Sequence, residues 1–158
     1  MDVKKTKVLL ICSAGGHLAE VLALDALRQK YEYLIVTEDV ETTRSLSNKY
    51  PMKFIKPDVE GRGFGYLWNI FLNFFLCIPI LIKFKPKVIV TTGSHTAFPI
   101  CVLGKLFRIK IVYILSYARV NTRAKSANIM YPLADLFLVQ WQSAQKLYPK
   151  SIYMGSLF

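Results

Sequence analysis

Two short stretches of this chain carry residue types that could hold an anion and move a proton. They are Ser13-Ala14-Gly15-Gly16-His17 and Thr92-Gly93-Ser94-His95-Thr96, and each follows a run of β-branched and aliphatic residues. Glycines let backbone N–H groups approach an anion closely, and a helix starting behind them adds a favourable partial charge. A diphosphate suits such a place. The competing reading of Gly15-Gly16 is a tight turn that needs glycine only for its backbone angles. His17 could orient a phosphate or act as a base near neutral pH, or it could simply start a helix. Arg119, in Ser116-Tyr117-Ala118-Arg119, could reach the same cleft and pair with phosphate, or only anchor its loop. Glu38 and Asp39 stand where a nicotinamide-binding fold keeps its ribose carboxylate. The first loop lacks the G-x-G-x-x-G spacing, because His17, Leu18 and Ala19 follow its glycines. Ordinary polar loop residues are the default reading of Glu38 and Asp39.

These loops must be positioned by strands. Lys7–Cys12, Tyr33–Thr37, Met52–Ile55, Lys87–Thr92, Lys110–Leu115 and Leu136–Val139 read as short buried strands. Helical patterns are expected over His17–Lys30, Phe98–Phe107, Ala127–Ala134 and Gln142–Tyr148, with a polar, helix-compatible Glu41–Lys49. Strands alternating with helices predict an α/β fold: one Rossmann-like parallel sheet with helices on both faces. Ligands then bind beyond the carboxyl ends of the strands, where both glycine loops lie. Residues 1–158 read as a single domain.

Phe64 to Ile82 is a different kind of segment. Its 19 residues are mostly apolar and six are Phe, Tyr or Trp, close to the length of a spanning helix. Gly65, Asn69, Asn73 and Pro79 interrupt it, and a single crossing would put strands of one sheet on opposite sides of a bilayer. It is therefore either a core helix or an interfacial one. Phe64, Trp68, Phe71 and Phe75, with Lys83 and Lys85 behind them and Arg62 in front, favour the interface.

Lys and Arg number 21 against 10 Asp and Glu, a formal charge of +11 that favours an anionic partner. The basic residues are dispersed, and groups such as Lys83, Lys85 and Lys87 flank apolar runs, which suits acidic lipid better than nucleic acid. A generally basic, solvated surface is the alternative. Cys12, Cys77 and Cys101 sit in apolar runs and read as reduced, buried thiols of a cytosolic protein. The charged N-terminus, with only Val8 to Cys12 apolar behind it, does not read as a signal peptide. With His17 and His95 as the two histidines and no ligand spacing, neither a metal nor another cofactor is expected.

Ser13–Glu20 (S-A-G-G-H-L-A-E), Thr91–Ser94 (T-T-G-S), Ser116–Val120 (S-Y-A-R-V), Ala134–Trp141 (A-D-L-F-L-V-Q-W) and Leu147–Gly155 carry a family resemblance. In their order and spacing the chain resembles the Alg-fourteen type, the membrane-anchor subunit of the two-chain N-acetylglucosaminyltransferase of dolichol-linked oligosaccharide assembly. Bacterial capsular and exopolysaccharide subunits belong to the same type. The resemblance implies the N-terminal, acceptor half of a GT-B glycosyltransferase, held at the cytoplasmic face of the cell membrane. It also implies a separate Alg-thirteen-type catalytic partner that binds the UDP-sugar, and a polyprenyl-diphosphate-linked acceptor. On that reading Ser13, Gly15, Gly16, Gly93, Ser94 and Arg119 line the acceptor site and His17 is a candidate base. Trp141 then becomes a candidate partner contact rather than plain core. The chain ends at Phe158, soon after the Gly155 where a second domain would begin. It departs from the family pattern at Leu115, where a Glu usually precedes the S-x-A-R serine, and at Lys125–Asn128, which replaces S-L-T-G-K.

Overall fold

The computed structural model describes residues 5–57 and 63–157; Lys4, Arg62 and Phe158 lie outside them. Among the described residues seven strands form one sheet: β1 (Lys7–Ile11), β2 (Glu32–Glu38), β3 (Met52–Ile55), β4 (Val88–Thr91), β5 (Lys110–Ile114), β6 (Leu136–Val139) and β7 (Ile152–Tyr153). Their order is β3-β2-β1-β4-β5-β6-β7, and every pairing is parallel. The connecting helices are α1 (Gly16–Leu22), α2 (Asp25–Lys30), α3 (Glu41–Arg44), α4 (Phe64–Phe84), α5 (Phe98–Leu106), α6 (Lys125–Met130) and α7 (Gln142–Gln145).

Alternate side chains of β1 divide the core into two layers, as strand geometry requires. Leu9 and Ile11 join Cys77 and Leu81 of α4, Ile100 and Cys101 of α5, Met130 of α6 and Ala144 of α7. Val8 and Leu10 join Leu18 and Val21 of α1, with Leu27 of α2 packed against them. The expected parallel sheet with helices on both faces is the observed one. The three cysteines are buried and free, and burial pushes the Cys12 and Cys77 thiols up to about 12.

Several boundaries differ from expectation. The single helix foreseen over residues 17–30 is broken at Ala23 and Leu24, where the Arg28 guanidinium donates to the Leu22 carbonyl at 2.5 Å and closes α1. α6 stops at Met130 rather than running to Ala134, because Pro132 cannot continue a helix. The expected Gln142–Tyr148 helix is only the four-residue α7. β7 is two residues long, too short to carry a periodic signal, and was not expected.

α4 presents two unlike sides. Asn73, Cys77 and Leu81 are buried, while Phe64, Leu67, Trp68, Phe71, Phe75 and Ile82 form an exposed stripe at helical spacing. Phe64 is 83% and Phe75 57% exposed, and the rings touch in series: Phe64–Trp68 at 6.4 Å, Trp68–Phe71 at 5.7 Å and Phe71–Phe75 at 5.0 Å. Lys83 and Lys85 are exposed at its C-terminal end. The asparagines that interrupt the apolar run dock the helix. Asn73 accepts from the Lys56 N–H at 2.8 Å and donates to the Lys56 carbonyl at 3.0 Å, and Asn69 donates to the Pro57 carbonyl at 3.0 Å. By length and composition α4 could cross a membrane. Packed on a sheet in which β4 pairs with β1 from Val8↔Val88 to Ile11↔Thr91, it lies along the domain instead.

Candidate functional site

The chain runs outward from β1 through β2 and β3, then returns to place β4 on the other side of β1. A parallel sheet opens a crevice at such a reversal, beyond the carboxyl ends of the strands. Ser13–Gly16 leaves β1 there and Thr92–Ser94 leaves β4, so the two loops expected from the sequence stand side by side.

Cross-links hold them. The Thr92 hydroxyl donates to the His17 carbonyl at 3.1 Å, and the Gly93 N–H donates to Thr91 Oγ1 at 3.1 Å. Glu38, buried at the end of β2, accepts from the Ala14 N–H at 3.0 Å and from the Thr96 hydroxyl at 2.7 Å. Its carboxylate therefore braces both loops. Asp39, its neighbour, pairs instead with Arg44 at 2.6 Å.

Ser13 is half-buried and Gly15 and Gly16 are exposed. Gly15 has φ +77°, which favours glycine; an added Cβ at either glycine would meet nothing within 4 Å among the described residues. Open space above Gly16 leaves room for a ligand. Gly93 is packed quite differently. At φ +100° its missing Cβ would lie 2.6 Å from the Tyr113 hydroxyl and 3.5 Å from His17 Cε1. Burial pushes the Tyr113 phenol up to about 12, against a hydrogen bond with Ser126 and the nearby Arg119 charge, which act the other way. Gly93→Ala is expected to destabilise the fold by ~1–3 kcal/mol through strain and overpacking, and to displace the His17 ring. Thermal melts of Gly93→Ala and of Gly93→Ala with Tyr113→Phe check this, with partial recovery expected in the double variant.

Ser94 holds φ +146°, and its buried hydroxyl has no hydrogen-bond partner among the described residues. It opens on an apolar cavity of about 130 Å³ lined by Tyr66 and Ile70 of α4, Phe98 of α5, and Ile129 and Met130 of α6. Tyr66 also meets His95 edge-on at 6.2 Å, so the first turn of α4 lies against the β4 loop.

The Ser116–Arg119 turn closes the third side. Ser116 Oγ donates to Glu20 Oε1 at 2.7 Å and the Tyr117 N–H to the same oxygen at 3.0 Å, tying the turn to α1. The Arg119 N–H closes the turn on the Ser116 carbonyl at 2.9 Å, leaving its side chain exposed. Trp141 is half-buried behind it, donating to the Tyr117 carbonyl at 2.7 Å with the rings 4.8 Å apart. Leu115 is buried in the core. Sequence reading alone missed Glu20, Glu38 and Tyr113 as organisers. Glu20 had a local signal, being three residues after His17 on one helical face.

The chain as a whole is similar to known proteins. Residues 58–157 match the family model for "Oligosaccharide biosynthesis protein Alg14 like". The human protein named UDP-N-acetylglucosamine transferase subunit ALG14 is 29% identical over 99% of this chain and 87% of its own length. Its Yarrowia lipolytica counterpart is 30% identical over 96% of this chain and 68% of its own length. Among solved structures, MurG of Acinetobacter baumannii superposes with a TM-score of 0.69 at 16% identity, over 85% of this chain and 41% of that one. A UDP-N-acetylglucosamine 2-epimerase from Rickettsia bellii gives 0.74 at 14% identity, over 97% and 45%. The chain thus spans less than half the length of these folds, whose likeness is one of architecture. Taken with the matches along its sequence, these make the chain a member of the Alg14-like family of oligosaccharide biosynthesis proteins.

Proposed function

We propose that this chain is the membrane-held acceptor subunit of a two-chain transferase. It works with an Alg-thirteen-type partner to move a sugar from a UDP donor to a polyprenyl-diphosphate-linked acceptor at the cytoplasmic face of the cell membrane. The names of its relatives favour N-acetylglucosamine as the sugar. The product would serve polysaccharide assembly, such as capsule or exopolysaccharide. The carrying observation is the junction of the switch-point cleft with α4. The helix whose outer stripe is exposed and aromatic sets its first turn against the Gly93–Ser94 loop. An acceptor held by its lipid in the interface would bring its diphosphate to Ser13, Gly15, Gly16, Gly93, Ser94 and Arg119. Its first hydrocarbon unit would enter the cavity beside Ser94; an apolar cavity of about 150 Å³ holds a benzene-sized molecule. Residues with exposed charge, Lys83 and Lys85 among them, would draw acidic headgroups at ~1 kcal/mol each.

His17 would take the proton of the attacking hydroxyl, and the partner would bind the nucleotide. The partner's lobe would face the same sheet edge, where Tyr117 and Trp141 are candidate contacts. Arg119→Ala should raise the KM for the lipid acceptor ~10-fold or more, through loss of a charge-assisted bond, with the partner still bound. Steady-state assays on the co-purified pair check this. A scaffold that only anchors the partner would show no change.

A further inference from the structure

We propose that Glu20 is a positioning residue that holds the His17 imidazole in one tautomer, with the proton on Nδ1 and the lone pair on Nε2. The proposal deepens the reading of His17 as the base and rests on it for its catalytic consequence. His17 Nδ1 and Glu20 Oε2 face each other at 3.5 Å. Both atoms are buried, and neither makes a hydrogen bond among the described residues; at 3.5 Å they face each other just beyond ordinary hydrogen-bond length. The Glu20 side chain is only 15% exposed, against 32% for His17. A carboxylate can only accept, so when the two atoms close on each other the proton between them belongs to Nδ1. A neutral ring protonated there keeps Nε2 as its acceptor, the form a general base needs.

The other carboxylate oxygen fixes which end of Glu20 faces the histidine. Oε1 accepts from both the Ser116 hydroxyl and the Tyr117 N–H. The backbone N–H is purely a donor, so only an acceptor fits opposite it. One side chain on α1 thereby sets the histidine and the turn that carries Arg119. This is a division of labour between two oxygens, and it makes a selective variant available.

In Glu20→Gln the amide oxygen stays with the Tyr117 N–H, so the turn keeps its latch. The amide NH2 then points at Nδ1, which must become the acceptor, and the ring proton moves to Nε2. Because the chain has two histidines, His95→Gln assigns the ring signals in ¹⁵N NMR of the full-length protein. The expected result is an Nδ1-protonated His17 in the parent and an Nε2-protonated His17 in Glu20→Gln. With the partner present, kcat should fall ~10²-fold with KM for the nucleotide sugar unchanged. An Nε2-protonated parent ring, or the same tautomer in both proteins, overturns the positioning role. A tautomer that switches without loss of turnover upholds the positioning role and removes His17 from proton transfer, so the two ideas fail separately.

Discussion

Phe71→Asp and Phe75→Asp together will release the chain from anionic vesicles, lowering its partition by ~10²-fold or more. Both rings lie on the exposed stripe of α4, in contact with each other and clear of the core layers. Burying a phenylalanine side chain is worth about 1.5–3 kcal/mol, and each 1.4 kcal/mol is a factor of ten in affinity. Since neither ring is buried in the fold, the melting temperature should move little. The chain carries its own reporter: of its two tryptophans, Trp68 stands in the stripe and Trp141 packs on Tyr117. In a Trp141→Phe background, Trp68 emission should shift to the blue with vesicles of acidic lipid. Added salt should weaken the shift by screening the lysines while leaving the apolar part intact. Equal partition of parent and double Asp variant would show the stripe to be something other than a membrane face.

His17→Ala should lower sugar transfer by ~10²–10⁴-fold in the assembled pair, the range for removing a positioned acid or base. The substitution removes a third-exposed ring at the mouth of the cleft, so folding and partner binding should survive. The His17 carbonyl bonded to Thr92 belongs to the backbone and remains. A fall in kcat with an unchanged KM for the UDP-sugar is the pattern for a group that acts on the reacting hydroxyl. Unchanged turnover would take His17 out of the chemistry. Its proximity to Gly93 would then be a packing matter alone.

Legibility from sequence followed length scale. β1 and β4 are dense aliphatic runs buried on both faces, and the residues just beyond them hold the glycine loops, so the switch-point cleft could be placed before the structure was known. On α4 the aromatic residues expected at the interface, Phe64, Trp68, Phe71 and Phe75, are the exposed ones. How the helix docks was not readable: Asn69 and Asn73, read as interruptions, prove to be the groups that hold it. The braces were hidden for another reason. Glu38 reaches Thr96 across 58 positions, Glu20 reaches Ser116 across 96, and Gly93 meets Tyr113 only because β4 and β5 pair in register. Such contacts are set by sheet order, which no local pattern reports. The helix breaks at Ala23–Leu24 and before Pro132 lie between these extremes. The proline was readable as a stop, whereas the Arg28 cap on Leu22 needed the folded geometry.

The most direct test purifies this chain alone, its Alg-thirteen-type partner alone, and the two together. Each is then assayed for transfer from UDP-N-acetylglucosamine to a polyprenyl-diphosphate-linked acceptor in vesicles. Transfer by the pair and by neither chain singly is the predicted result. Transfer by this chain unaided, in solution and without lipid, would contradict the account.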